Sequence, residues 1–458
     1  MAATRLEKDL LGEKEIPAEV YWGIHTGRAL ENFPLCGIPA ARDLIKAVCL
    51  VKKAAGAANQ ELGYLGSLKG QAIIQAADEI IGGKFRDQFP LDALQGGAGT
   101  SVNMNVNEVI ANRAIEILGG RRGEYCRVDP LADVNLHQST NDVFPTALKI
   151  AAIYGLRRLS ESIARLQGAC QEKEKEFCRV VKIGRTQTQP AVPMTLGAEF
   201  GAFAEAFGRD RWRTFKCEER LRVTNLGGTA VGTGLGAPRE YIFLVIEKLR
   251  EVTGLNLSRG ENAVDQTANA DCFVEVAGML NAAAGNMIKI ANDLRWLNGL
   301  GDIHLAAVQA GSSIMPGKVN PVACEAVMQA GMRVRANEQM ISEAVSRGTL
   351  QICEFLPLVA YGLLESIELL GKAAEILRRT VLGIHKDADN CRRNWENTAS
   401  IVTAFLPVIG YERAQILVQE FAASGRDSIR SFLEEKLGKA TVDSVLSPEN
   451  LTSLGFKK

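Results

Sequence analysis

The pattern of apolar and polar residues along the chain predicts four long helical segments. In residues 271–298 apolar side chains recur every three or four positions, which is the spacing of one face of an α-helix. The same spacing recurs in 142–180, 193–224 and 323–382, and Pro357 predicts a break in the last of these. Because each segment is far longer than the mean helix of about 11–12 residues, we predict a mainly α fold with a central bundle of long helices.

Shorter helical patterns flank the long segments. Residues 41–62 and 68–82 have helical spacing and are bordered by turn-forming stretches such as LGEKEIP, GYLGS and QGGAGTS. A further helical region covers 411–438. We therefore predict three domains, which are a mixed N-terminal domain (1–140), the central helical bundle (141–390) and a small helical C-terminal domain (391–458).

The long segments carry more apolar surface than one chain can bury. Their faces are rich in Ala and Gly and are apolar over more than one stripe, so a single bundle would leave apolar surface in water. Packing of the bundle of one subunit against that of another would cover this surface. We therefore expect a homo-oligomer.

Composition and charge exclude several classes of partner. The chain has 458 residues with 53 basic and 53 acidic side chains, so no overall field favours nucleic acid or an anionic membrane. Its ten cysteines show no CxxC pair and no Cys/His cluster, which indicates reduced thiols, a cytoplasmic location and no bound metal. The N-terminus lacks the apolar core of a signal peptide, and no apolar stretch approaches the roughly 20 residues of a membrane span. The stretch GGTAVGTGLG (227–236) contains no GxGxxG, so we expect no dinucleotide cofactor.

Four polar segments lie between the helices, and three of them border a predicted helix start. These segments are GGAGTSVNMN (96–105), HQSTNDVFPT (137–146), GRTQTQPAVP (184–193) and AGSSIMPGKVNP (310–321). A helix N-terminus presents unpaired N–H groups and a partial positive charge, so polar side chains there could together bind carboxylates. The side chains with this potential are those of Thr100, Ser139, Thr140, Asn141 and Thr186. Taken singly, each is better explained as a helix cap, but the presence of four such segments in one chain favours ligand binding. Lys318 would add an ammonium group that can meet a carboxylate.

The run GSSIMPGKVNP (311–321) resembles the central motif of the aspartase/fumarase superfamily. Members of this superfamily are lyases that remove an amine or hydroxyl group beta to a carboxylate and release fumarate. The segments GGAGTSVNMNVNEV, QSTND, GRTQTQ and NLGGTAVGTGL follow the order of the family's other motifs, so the resemblance runs from about Asp9 to about Gly410. It implies an N-terminal domain, a central bundle and a small C-terminal domain. It also implies a tetramer whose central helices merge and whose active sites each draw on three subunits.

Within the superfamily, the resemblance favours elimination of ammonia from L-aspartate to give fumarate. Gln187 stands in GRTQTQ where fumarases carry His, and QAGSSIMP stands where fumarases generally read EPGSSIMP. Two alternatives stay open. One is a class II fumarate hydratase or another fumarate-releasing lyase, and the other is a non-catalytic oligomeric scaffold.

The resemblance also implies a role for each site residue. Ser312 would be the catalytic base that removes a proton from C3 of the substrate. The donors around the β-carboxylate would be Thr100, Ser139, Thr140 and Ser313. The α-carboxylate would be held by Thr186, Lys318 and Asn320. Asn141 and Gln187 would face the amino group.

Two departures from the family pattern bear on the site. The family's usual SSGPRAGLNEI reads here NGLGDIHLAAV, so the link between a long helix and the 311–321 run is several residues shorter. His137 stands where related lyases have Cys or Ser, and its imidazole could be a neutral core group or an added acid.

Overall fold

The structure is a computed structural model that describes residues 3–451, 453 and 455. It is 64% helical, which confirms the predicted mainly α fold. The chain forms two compact units, each built from three stretches. The first comprises residues up to Ser160, Arg213–Ala282 and Arg333–Leu370, and the second comprises Glu161–Trp212, Ala283–Met332 and the chain from Gly371 onward. The division into three domains stays a prediction.

The elements follow one another in this order. The chain begins with strands β1 (Thr4–Asp9) and β2 (Gly12–Pro17), and continues with helices α1 (Ile24–Asn32), α2 (Arg42–Glu61), α3 (Ser67–Ile81), α4 (Thr100–Ile117) and α5 (Thr140–Glu176). Next come β3 (Val181–Thr186), β4 (Gln189–Thr195), α6 (Leu196–Leu221), β5 (Val223–Thr224), α7 (Arg239–Thr253), β6 (Ser258–Arg259), α8 (Ala263–Ala268) and α9 (Asp271–Gly299). The last elements are β7 (Ile303–His304), α10 (Val322–Ser346), α11 (Leu356–Leu382), β8 (His385–Lys386), α12 (Ala388–Glu396), α13 (Leu406–Ser424), α14 (Ile429–Leu437), α15 (Lys439–Val445) and α16 (Pro448–Leu451).

The strands form small two-stranded ladders. Strands β1 and β2, β3 and β4, and β7 and β8 pair antiparallel, whereas β5 and β6 pair parallel. Short helical turns lie at Arg86–Gln88, Pro130–Val134 and Ala399–Phe405. The long helices therefore make up most of the fold, and the ladders fix local loops.

The four long segments are helical, as predicted. They correspond to α5, α6, α9 and the pair α10 and α11. The predicted break in the last segment is confirmed, but the chain leaves the helix before the proline, between Ser346 and Leu356. Pro357 is the second residue of α11, where the N–H that proline lacks would have no intrahelical partner.

Two sequence interpretations are wrong at the strands. The sequence predicts a turn at LGEKEIP, but Gly12–Pro17 forms strand β2. The segment GRTQTQPAVP was read as leading into a helix from residue 193, but it lies in the β3–β4 hairpin and α6 begins only at Leu196. Pro190 and Pro193 are tolerated because β4 belongs to a two-stranded ladder, in which every strand has an unpaired edge.

The region after residue 398 is helical but not one continuous helix. Gly425 has φ 64° and ends α13, and α14 begins after Ser428, whose side chain accepts a hydrogen bond from the Ser431 N–H. Within the described residues, the stretch Ala399–Ser424 is the one that is long and apolar enough to cross a membrane by length and composition. The expectation that no stretch approaches this length was therefore wrong. The stretch is interrupted at Gly410, whose φ of 73° and ψ of 168° are not helical.

Each unit has a core of its own. In the first unit, α2 packs against α3 and α7 through fully buried side chains such as Val48, Val51 and Ala55. In the second unit, an apolar cluster joins Ile183 on β3 to Trp395 on α12 and to the helices that follow residue 398. Burial of these apolar side chains is the main stabilising contribution to each unit.

The start of α4 is fixed by a glycine that no other residue could replace without strain. Gly99 precedes the helix with φ 90°, a left-handed conformation that L side chains rarely adopt. A Cβ atom at this position would lie 2.2 Å from Cδ2 of Phe144 on α5. The close approach of the Phe144 ring to the Gly99 backbone therefore requires glycine.

We expect the substitution Gly99→Ala to lower the free energy of unfolding by about 2–4 kcal/mol, because it combines left-handed backbone strain with overpacking against Phe144. Gly96→Ala is the matched control, since a Cβ there meets only the ring of Phe33 at 3.6 Å and the backbone is not left-handed. Chemical denaturation of both variants is the measurement. Equal stabilities would contradict the proposed constraint.

Candidate functional site

The N-termini of α4 and α5 lie next to each other in the first unit. Gly99 packs against Phe144, and the side-chain amide of Asn103 on α4 donates a hydrogen bond of 3.1 Å to Oγ1 of Thr140 on α5. Thr100 is the first residue of α4, and Thr140 is the first residue of α5. Two sets of unpaired N–H groups and two positive helix ends therefore converge, which favours binding of a carboxylate.

The side chains at the start of α5 form a reciprocal cap. The Oγ of Ser139 accepts the N–H of Asn141 at 3.2 Å, and the carboxylate of Asp142 accepts the N–H of Ser139 at 3.0 Å. The second carboxylate oxygen of Asp142 accepts the N–H groups of Gly227 at 3.1 Å and Thr229 at 2.9 Å. Asp142 thus ties the segment QSTND to the glycine-rich loop NLGGTAVGTGL.

The other candidate residues of this unit are held by backbone and side-chain groups. The Asn141 side chain donates to the Ala230 carbonyl at 2.7 Å, and the Thr100 hydroxyl donates to the Gly97 carbonyl at 2.7 Å. Thr140 is buried, whereas Thr100 is exposed. The cap interpretation and the ligand interpretation are therefore compatible at these positions, because the hydroxyl groups are fixed by the same contacts that begin the helices.

A buried polar network lies beside these residues. Lys52 on α2 is fully buried and donates to Oδ1 of Asn135 at 2.8 Å and to Oε1 of Gln138 at 2.9 Å. The same Asn135 oxygen accepts the amides of Asn103 at 3.2 Å and Asn107 at 3.1 Å. Burial lowers the pKa of Lys52 to about 7 and raises the pKa of Asp142 to about 7, although the charge of each partly offsets the shift of the other.

Thr186 and Gln187 lie at the tip of the β3–β4 hairpin in the second unit. The prediction that Thr186 lies near a helix N-terminus is wrong, because the chain here turns from one strand directly into the next. The two turn residues Gln187 and Thr188 have φ values of 51° and 63°, which a tight hairpin turn requires at both positions. Asn and Gly usually fill such positions, so Gln and Thr carry backbone strain.

Strained backbone is concentrated in the candidate segments. Five of the seven non-glycine residues with positive φ in the described chain lie in the segments singled out by sequence. These five are Ala98, His137, Gln187, Thr188 and Thr229. Such strain persists only where the surrounding structure enforces it, and its clustering points to a functional site.

The segment 311–320 forms a loop that is closed at its neck. The N–H of Gly311 donates to the Lys318 carbonyl at 2.8 Å, and the Asn320 side chain donates to the Gly311 carbonyl at 2.7 Å. A Cβ at Gly311 would lie 2.6 Å from that Lys318 carbonyl, so glycine is required at the neck. A cavity of about 420 Å³ is lined by Ala307–Ala310, Ser312 and Met315–Val319, which includes Lys318.

Ser312 is held inside this loop by two donors to its hydroxyl oxygen. Its Oγ accepts the N–H of Ile314 at 3.2 Å and the N–H of Met315 at 2.8 Å. Donors that point at the oxygen stabilise negative charge on it, which is what a serine needs in order to act as a base.

The predicted residues therefore form two groups. Thr100, Ser139, Thr140 and Asn141 are brought together in the first unit, whereas Thr186, Gln187, Ser312, Ser313, Lys318 and Asn320 belong to the second unit. Within the described chain, the side chains of Thr186, Gln187, Ser313 and Lys318 are exposed and make no hydrogen bond or ion pair. These four are available to a ligand.

His137 is packed between aromatic rings. Its ring lies 4.9 Å from that of Tyr64 and 5.3 Å from that of Tyr241, and Nδ1 is 2.7 Å from Oδ1 of Asn59. Burial lowers the pKa of His137. These contacts favour the neutral core group over the added acid. Among the residues that the structure describes, no group of three or more His, Cys, Asp or Glu side chains could hold a metal ion.

Sequence reasoning missed the groups that support the site. Lys52 and Asn103 were not named as site residues, although polar residues at the apolar positions of α2 and α4 are a usable signal. Asn135, which lies between α4 and α5, was also missed. Asp302, which is fully buried in the shortened link, was also missed. Its partners are distant in sequence, so no local pattern could have identified them.

Comparison with known proteins finds relatives over nearly the whole chain. The family model described as Lyase matches residues 12–336, and the model described as Fumarase C C-terminus matches residues 401–453. The aspartate ammonia-lyases of Bacillus subtilis and Pseudomonas aeruginosa are 42% and 44% identical to this chain, over 99% and 98% of it and 97% of each relative. The crystal structure of a fumarate lyase:delta crystallin from Brucella melitensis superposes with a TM-score of 0.95 at 43% identity, over 99% of this chain and 100% of that one. A class II fumarase from Schistosoma mansoni superposes with a TM-score of 0.92 at 30% identity, over 97% and 98% of the two chains.

We expect Lys52→Met to destabilise the protein more at pH 9 than at pH 7. The folded-state pKa of Lys52, about 7, lies below its usual value of 10.5. As pH rises through 7, Lys52 loses its proton in the folded protein, so the free-energy cost of burying its charge falls. The contribution of Lys52 to the unfolding free energy therefore grows with pH, by at most about 1.4 kcal/mol per unit. Urea denaturation at pH 7, 8 and 9 measures the difference from wild type.

The control is Lys53→Met, since Lys53 is the next residue on α2 but forms a partly exposed ion pair with Asp78. Its effect should not change over this pH range. A Lys52→Met effect that stays constant or shrinks with pH would contradict the assignment.

Proposed function

We propose that this chain, which belongs to the aspartase/fumarase superfamily of lyases, catalyses the reversible elimination of ammonia from L-aspartate to give fumarate. It is a carbon–nitrogen lyase. The relatives support this activity over nearly their whole length, and the site supplies the groups that the reaction needs.

One structural observation carries the proposal. The hydroxyl oxygen of Ser312 receives two backbone N–H groups inside a loop that also carries Ser313 and Lys318. A serine hydroxyl alone is a poor base in water, but donors aimed at its oxygen and a nearby ammonium favour the alkoxide form. The loop therefore supplies the groups that would let Ser312 act as a base once water is excluded.

The chemistry proceeds through a carbanion that the enzyme must stabilise. Ser312 Oγ takes a proton from C3 of aspartate, and the electron pair of that C–H bond spreads onto the adjacent β-carboxylate. The pair then forms the C2–C3 double bond while the C2–N bond breaks and ammonia leaves with the bonding electrons. Preorganised donors aimed at the charged intermediate are worth about 3–4 kcal/mol each.

The remaining residues fit this sequence of steps. The convergent N-termini of α4 and α5 present Thr100, Ser139 and Thr140, which would surround the β-carboxylate. Lys318, Asn320 and Thr186 would hold the α-carboxylate. Asn141 and Gln187 would face the amino group, and because an ammonium group leaves without a strong acid, glutamine suffices at position 187.

Fumarate hydration is the second candidate. The reverse reaction, dehydration of malate, would use the same carboxylate ligands with water as the leaving group, and the fold of a class II fumarase matches this chain closely. Gln187 and the closer sequence identity to aspartate ammonia-lyases favour ammonia. A non-catalytic scaffold is a weaker candidate, because Ser312 and the residues that hold it are present.

We propose further that the chain forms a homotetramer whose active sites are shared between subunits, and that it works in the cytoplasm. Large apolar side chains on the long helices are exposed in the single chain, among them Trp212, Phe215, Trp296 and Met332. Their burial in an assembly would remove this surface from water. None of the ten cysteines is paired, which supports a reducing compartment.

The first test follows fumarate absorbance with purified protein and either L-aspartate or L-malate. We expect fumarate from aspartate and none from malate, and release from malate alone would replace the ammonia-lyase by the hydratase. The Ser312→Ala variant should lose at least about 100-fold in kcat with unchanged assembly, because a general base contributes about 10²–10⁴-fold. Ser424→Ala, which removes an exposed hydroxyl on α13, is the matched control. Retention of more than about a tenth of the turnover would reject Ser312 as the base.

A second test addresses the shared sites by mixing inactive subunits. Thr100→Val and Ser312→Ala remove groups that belong to different units of the chain. If each site combines these groups from different subunits, random mixed tetramers should recover about a quarter of wild-type activity. The measurement is activity after co-refolding at equal concentration. No recovery in tetramers shown to be mixed would exclude sharing of these two groups.

A further inference from the structure

A buried aspartate anchors the hairpin that carries Thr186 and Gln187. Asp302 is fully buried at the end of α9, where its N–H donates to the Leu297 carbonyl at 3.0 Å. Its Oδ2 atom lies 2.8 Å from Nη1 of Arg185 and 3.2 Å from Nζ of Lys182, both on β3. Arg185 immediately precedes Thr186, so the anchor acts one residue from the hairpin tip.

The strand is built so that both cations reach the same carboxylate. Residues three apart on a regular strand point to opposite faces, which would send Lys182 and Arg185 away from each other. The β3–β4 register shifts between Ile183 and Arg185, and this irregularity restores both side chains to one face. Gly184 is required there, because a Cβ would lie 2.9 Å from the Val192 carbonyl.

The cluster is balanced in charge and joined to the C-terminal part of the unit. Lys182 is also buried and pairs with Glu199 at the start of α6 at 2.6 Å, so two cations meet two anions. The other carboxylate oxygen of Asp302 accepts the amide of Asn394 on α12 at 3.0 Å, and its carbonyl accepts the N–H of Asp387 at 3.1 Å. A buried carboxylate with all these partners holds its position firmly.

We propose that Asp302 is a positioning residue for substrate binding, which acts through Arg185 on the hairpin tip. Gln187 and Thr188 are held in a strained turn whose side chains project into solvent, so their location depends on how the strands below are fixed. This inference rests on the proposed function, in which Thr186 holds the α-carboxylate and Gln187 faces the amino group. A displaced tip weakens contacts made equally to the ground state and the transition state, so it raises KM and leaves kcat nearly unchanged.

The experiment compares kcat and KM for L-aspartate in wild type and Asp302→Asn. We expect KM to rise at least about tenfold and kcat to stay within about threefold. Glu199→Gln is the matched control, because it removes the other carboxylate of the same cluster but leaves the Asp302–Arg185 pair intact. It should lower stability with little change in KM. An equal rise in KM in both variants would reduce Asp302 to a general structural role and overturn the proposal.

Arg185→Met removes the other partner of the Asp302–Arg185 ion pair, which we call the tether. This variant also serves as the test if Asp302→Asn does not fold. It should reproduce the rise in KM, and the double variant should be no worse than either single variant. Asp302→Glu keeps the charge and should recover most of the affinity. Additive effects, or an unchanged KM in folded Asp302→Asn or Arg185→Met, would overturn the inference.

Binding of succinate, a dicarboxylate without a leaving group, separates this inference from the proposed activity. Calorimetry measures its affinity without turnover. If the wild type releases no fumarate but binds succinate, and Asp302→Asn weakens that binding at least about tenfold, the ammonia-lyase activity fails while the tether stands. If the wild type does not bind succinate, the tether to a carboxylate site is also rejected.

Discussion

The carboxylate of Asp142 fixes the part of the site that belongs to the first unit. One of its oxygens accepts a hydrogen bond from the N–H of Ser139, and the other accepts hydrogen bonds from the N–H groups of Gly227 and Thr229. Without it, backbone N–H groups at the start of α5 and in the glycine-rich loop would be buried with no hydrogen-bond acceptor. Each unsatisfied polar group of this kind costs about 1–3 kcal/mol. The junction between the start of α5 and the glycine-rich loop, and with it this part of the carboxylate site, depends on this one side chain.

Much of the fold follows from local sequence patterns, whereas the support of the site does not. The spacing of apolar residues predicts the long helices, and clusters of Ser, Thr, Asn and Gly indicate the motif residues. The β3–β4 hairpin was missed because β4 contains two prolines and neither strand has the regular alternation of a half-buried strand. Lys52 and Asp302 were missed because their roles come from partners more than 80 residues away in the chain.

The backbone of the site is held in conformations that the local sequence does not favour. Ala98, His137 and Thr229 adopt positive φ next to the helix starts and loops that carry candidate ligands. The tertiary contacts described above overrule local preference at these points. At the β3–β4 turn, where the sequence pattern misleads, the backbone of Gln187 and Thr188 also departs from the conformations that these residue types favour.

The closed neck of the 311–320 loop has a consequence for how the loop would move. Because Gly311 bonds to both Lys318 and Asn320, the two ends of the loop would stay joined if it swung. The bending would be confined to the exposed stretch before Gly311, because Pro321, which precedes α10, has its φ angle fixed by its ring. Closure over a substrate would then restrict rotation in that one stretch rather than order all ten residues of the loop, each of which would cost about 1–2 kcal/mol of backbone entropy. A rigid flap of this kind can open and shut many times at little entropic cost while the geometry around Ser312 is preserved.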